Sequence, residues 1–142
     1  MGLLRYAAGE DLPLDDRLLA HVRRVTASRF RSGQAFLLSV PGPLIGPHPL
    51  GGDAGPGPSA PGRIAFWMHP SIPTQFFFSG NREPVLNPAM LELFEALCDT
   101  AQGLVLVPEH QVEAQLGELR ERRRRLAQSK AAEDAAGSER AR

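Results

Sequence analysis

RIAFWMHPSIPTQFFFSGN, residues 63–81, is the stretch that decides the fold. Ile64, Phe66 and Met68 recur at every second position, the period of a strand with one buried face. Pro70-Ser71-Ile72-Pro73 is turn chemistry, and Phe76 and Phe78 then resume the alternation. Strands over Arg63–His69 and Thr74–Ser79, joined so closely, predict an antiparallel hairpin. Gly80-Asn81 closes the second strand.

Upstream, 14 of the 22 residues from Pro41 to Gly62 are Gly or Pro. That composition reads as a mobile surface loop without regular structure. Before it, Phe36, Leu38 and Val40 share one face of a strand over Gln34–Val40. Leu18, Leu19, Val22, Val25, Thr26 and Phe30 have helical spacing. Asp15-Asp16 offers an acidic cap and Gly33 a terminator, which places a helix over Asp16–Ser32. Leu3–Tyr6 is a short first strand.

Downstream, Asn87-Pro88 is a helix start, with asparagine as cap and proline at the first helical position. Met90, Phe94, Leu97 and Ala101 form the expected buried stripe, ending before Gly103. Leu104–Val107 is apolar on both faces, as a central strand would be.

The order is β-α-β-β-β-α-β. Residues 1–108 are therefore expected to form an α+β domain, a mostly antiparallel sheet with two helices on one face. Residues 109–142 read as a charged tail, helical from about Gln111 to Gln128 and then disordered. The sheet's second face would carry Leu37, Trp67 and Phe77, with either Val105 and Val107 or Leu104 and Leu106. An uncovered apolar face of this kind reads as a partner surface, suited to a homodimer. The alternative is that the tail or the Pro/Gly segment lies across it.

The chain of 142 residues has formal net charge zero, so its total charge gives no case for nucleic acid or membrane. Its start fits neither a signal nor a transit peptide, and no run is long enough for a membrane span. Cys98 is the only cysteine, which excludes an intramolecular disulfide and a cysteine-built zinc site and suggests a cytoplasmic protein. Lys130 is the only lysine and lies in the tail.

Local basic features are clearer than the total. Arg17, His21, Arg24, Ser28 and Arg31 fall on one face of the first helix, either a phosphate-binding strip or a solvated side. Arg122, Arg123, Arg124 and Arg125 form a cluster that the preceding Glu109, Glu113, Glu118 and Glu121 are placed to pair with. Asn81 and Arg82 precede the second helix, where a loop pair could meet an anion. His69 and Ser71 lack the spacing of a triad and read as turn residues. The four histidines show no metal-ligand spacing, no phosphate-loop pattern occurs, and Cys98 reads as an inert buried thiol. No catalytic, cofactor or metal constellation emerges.

Several segments resemble a small actinobacterial family of unknown function. They are Met1–Tyr6, Leu14–His21, Arg29–Gly33, Trp67–Pro73, Phe78–Arg82 and Gly103–Glu109, and the His69-Pro70-Ser71-Ile72-Pro73 turn is the most specific. The resemblance covers nearly all of residues 1–109 and implies short proteins with a brief connection where this chain has Pro41–Gly62. Relatives sometimes carry the name ATP-dependent DNA ligase. That chemistry needs a lysine in a Lys-x-Asp-Gly context to attack the α-phosphate. Lys130 sits in Ser-Lys-Ala-Ala-Glu, so the residues do not support the name. The expected function is a non-catalytic interaction or regulatory module. The alternative is a nucleic-acid-associated protein that uses the arginine-rich tail.

Overall fold

In the computed structural model, which describes residues 1–8, 10–46 and 62–140, six strands divide into two three-stranded sheets. The first sheet has the order β2 (Glu10–Leu14), β1 (Gly2–Tyr6), β5 (Thr74–Phe77), all antiparallel. The second has the order β4 (Arg63–Met68), β3 (Phe36–Pro41), β6 (Leu104–Val105), with β3 antiparallel to β4 and parallel to β6. Among the described residues three α-helices complete the fold: α1 (Asp16–Arg31), α2 (Pro88–Cys98) and α3 (Val112–Arg140). The α+β class and the mostly antiparallel pairing match the sequence reading. The single sheet does not.

The expected hairpin is absent. Trp67 pairs with Leu37 in one sheet, while Phe76 pairs with Leu4 in the other. Pro70 and Pro73 explain this, because neither has an N–H to give to a ladder. The turn instead closes on itself through Ile72 N–H to the His69 carbonyl at 3.1 Å. It then hands the chain to β1 through Ala7 N–H to the Pro73 carbonyl at 3.0 Å. Tyr6 joins the two sheets: its ring meets Phe66 edge-on at 5.6 Å, and its hydroxyl donates to the Trp67 carbonyl.

Strand β2 is an element the sequence reading omitted. Leu12 and Leu14 do alternate there, and both are buried. Pro13 between them has no N–H for a ladder, but β2 lies at the sheet's edge, where a missing donor is tolerated. Strand β6 is also a correction, being a two-residue edge strand rather than a central one. Its neighbours Leu106 and Val107 are nonetheless buried.

Helix α1 begins where Asp15 accepts the N–H groups of Arg17 and Leu18 at 3.1 and 3.3 Å. Helix α2 begins where the Asn87 side chain accepts Ala89 N–H at 3.0 Å. Its buried residues are Met90, Leu93, Phe94 and Ala96, while Ala101 lies beyond the helix and is exposed. The expected stripe therefore ran one turn too far. Leu4, Leu19, Val22, Leu38 and Phe94 meet in the shared core, completed by Val112 and Leu116 of α3.

Two further expectations change. Gly42–Leu44 forms a 3-10 turn, and Leu44 and Ile45 pack against the core, so this part of the Pro/Gly segment is ordered. The rest of that segment, residues 47–61, lies outside the described residues. Helix α3 does not fray at Gln128 but continues to Arg140 through an alanine-rich stretch of high helix propensity.

Candidate functional site

The proposed apolar face is resolved into two places. Leu37 and Trp67 are cross-strand neighbours on the outer face of the β4-β3-β6 sheet, with Trp67 60% exposed and Leu37 partly so. Next to them, Ala65 and Val105 both stand in register with Ser39, and Ala65 is exposed. Phe77 belongs to the other sheet, and the Arg5 guanidinium lies over its ring at 5.0 Å. The glycine at position 103 allows the close approach beside Leu37. Its φ is +74°, and a Cβ there would lie 2.7 Å from the Leu37 Cβ. Helix α3 packs on α2, where Arg120 bonds Glu92 at 2.7 Å.

The basic strip of α1 is also divided. Arg17 is engaged, its guanidinium donating to both Glu109 carboxylate oxygens at 2.7 Å and to the Val85 carbonyl at 2.5 Å. These bonds, with one from the Asn87 side chain, pull the Glu109 carboxyl down to about 2. His21 is fully buried. Its Nδ1 lies 2.6 Å from the Arg17 carbonyl, while its Nε2 accepts Asn87 N–H at 2.8 Å. Only the neutral tautomer with its proton on Nδ1 satisfies both bonds. Arg17 and His21 therefore tie α1 to the start of α2 and to the segment leading into α3.

Arg24 and Arg31 lie elsewhere, on the wall of an open groove of about 440 Å³. Ala20, Arg23 and Ala27 of α1 complete that wall, and the opposite side is the segment from Phe78 to Leu86. Arg82 faces the groove from this side, as does Glu83, which bonds Arg23 at 3.2 Å. Among the described residues, Arg24, Arg31 and Arg82 make no ion pair. The sequence reading missed Arg23, Phe78 and Glu83. Ala20, Arg23, Ala27 and Arg31 recur at helical spacing, which was the available signal.

In the tail, Arg122 to Arg125 are all exposed, with Glu121 3.6 Å from Arg124 and 3.4 Å from Arg125. Lys130 is exposed on the same helix. At the Pro70–Pro73 turn, the Ser71 hydroxyl lies 2.6 Å from His69 Nδ1, and Ser71 N–H donates to that same nitrogen at 3.1 Å. Cys98 is half-buried, and burial pushes its thiol up to about 12, which disfavours the reactive thiolate. Among the described residues no helix is long and apolar enough to cross a membrane.

Comparison with curated proteins and with solved structures returned no match to this chain. A family pattern does match, over residues 1–109, and the stretch includes both sheets, α1, α2 and the arginine groove. The chain thus belongs to the DUF7882 family, described as a domain of unknown function.

Proposed function

We propose that this protein is a non-catalytic interaction module that self-associates through the outer face of the β4-β3-β6 sheet. The observation that carries this reading is Trp67, a large aromatic 60% exposed beside Leu37. Leaving such a ring in water forfeits much of the burial free energy of an aromatic side chain. The centre of the face is uncharged, with Trp67 and Ala65 exposed, Leu37 and Val105 partly so and Ser39 buried between them, while Arg63 stands at its end beside Pro41. A second copy related by a two-fold axis meets such a face with an equally neutral surface.

Sedimentation velocity of the full chain over a concentration series tests the reading. The expected result is a monomer–dimer equilibrium in the parent and a monomer in Trp67→Ser. A monomer at every concentration, or a dimer indifferent to the substitution, overturns it.

A second reading has its own observation. Arg122, Arg123, Arg124 and Arg125 are exposed on a helix whose described residues past Arg120 are all exposed. Such a cluster supports sequence-independent contact with nucleic-acid phosphates. Binding of a short DNA duplex that weakens steeply with salt, and is lost when these four arginines become glutamine, would favour it.

A further inference from the structure

The groove between α1 and the Phe78–Leu86 segment has a chemistry separate from the sheet face. We infer that it is a binding site for a small ligand carrying two phosphate groups. Four guanidinium groups line it, from Arg23, Arg24, Arg31 and Arg82, against one carboxylate, Glu83. Guanidinium is the side-chain group best matched to phosphate, which it meets with paired N–H donors in a fixed fork.

Glu83 supplies the second observation. Its carboxylate is already seated on Arg23 at 3.2 Å, although 83% of its side chain is exposed. It holds the place of an external anion on the groove's most engaged arginine. Arg24, Arg31 and Arg82 have no such internal anion among the described residues. An incoming ligand therefore meets three uncommitted guanidiniums and displaces one weak, solvent-screened pair.

Size and spacing set the class of ligand. A volume of about 440 Å³ falls in the range of small-molecule sites. Arg24 and Arg31 are seven positions apart, roughly 10 Å along the helix axis at 1.5 Å per residue. Two linked phosphates extend further along the groove than one and neutralise more of the charge that four guanidiniums against one carboxylate leave there. Phe78 adds an apolar patch to the opposite side, with the Arg23 guanidinium 5.9 Å from its ring centroid.

Isothermal titration of the full chain with pyrophosphate, inorganic phosphate and succinate tests the assignment. Pyrophosphate is expected to bind about tenfold more tightly than the other two, the factor carried by one additional charge-assisted hydrogen bond. Arg24→Gln, Arg31→Gln and Arg82→Gln should each weaken pyrophosphate binding by a similar factor, about tenfold. Glu83→Gln should tighten it, a gain that a misfolded variant does not produce. Replacing Arg122 to Arg125 by glutamine should leave it unchanged. The inference is overturned if pyrophosphate does not bind, if succinate binds equally well, or if binding follows the tail arginines instead of the groove. A duplex DNA that competes through Arg24 and Arg31 more strongly than pyrophosphate also overturns it. None of these results depends on whether the chain dimerises through Trp67.

Discussion

The imidazole of His21 accepts the backbone N–H of Asn87 at 2.8 Å across 66 residues of chain. Through the same ring, Nδ1 meets the carbonyl of Arg17 one helical turn earlier. A residue on the basic strip of α1 is thus a buried tie between two helices. His21→Ala removes the ring, opens a cavity and orphans the Asn87 N–H at the cap of α2. The expected cost is about 3 kcal/mol, measured by urea denaturation. In the parent, nitrogen NMR of the ring should report the neutral tautomer protonated on Nδ1.

Arg17 and Glu109 give the fold a dependence on acidity. Glu109 titrates near 4.5 unperturbed and at about 2 in the fold. A depressed carboxyl stabilises the folded state above its unfolded value, and that stabilisation is lost as pH falls from about 4.5 towards about 2. The side chains are 39% and 40% exposed, so solvent screening limits the contribution to about 1 kcal/mol. Glu109→Gln should therefore be less stable than the parent at pH 7, and the gap should close through that acidic window. Denaturant melts at neutral and acidic pH measure both.

Gly103→Ala should destabilise by about 2 kcal/mol or more, because the position requires a positive φ and a Cβ would collide with Leu37. Thermal melting of the variant checks this.

Helix α3 should divide into a structural part and a free part. Val112 and Leu116 are buried, Leu119 packs on the core, and every described residue past it is exposed. A chain ending at Arg120 should match the parent to within about 0.5 kcal/mol. One ending at Glu109 should lose about 3 kcal/mol or more, the burial of two aliphatic side chains. Parallel thermal melts of the two truncations compare these outcomes.

Local patterns in this sequence were legible because short-range physics fixes them. Asp15 and Asn87 announce their helices by capping, and Phe36, Leu38, Phe66 and Phe76 show by alternation which faces are buried. Strand partners were harder, since pairing is a long-range choice. The Pro70–Pro73 turn looks like a hairpin loop, yet its prolines send β4 and β5 to different sheets. The candidate surfaces show the same division. Leu37 and Trp67 do share a face, which alternation could reveal. Phe77 left that face with its sheet, and Arg17 left the basic strip to meet Glu109, 92 residues away. The groove was hidden because half of its wall is the Phe78–Leu86 segment, whose course no periodicity describes.

Trp67 is the only tryptophan in the chain, so its fluorescence reports on the outer face of the β4-β3-β6 sheet without interference. A dilution series of the full protein, from high to low micromolar, is the most direct measurement of self-association through that face. Blue-shifted emission is expected when the protein is concentrated, moving to the red of water-exposed indole as dimers dissociate. Emission that stays red at every concentration would contradict it.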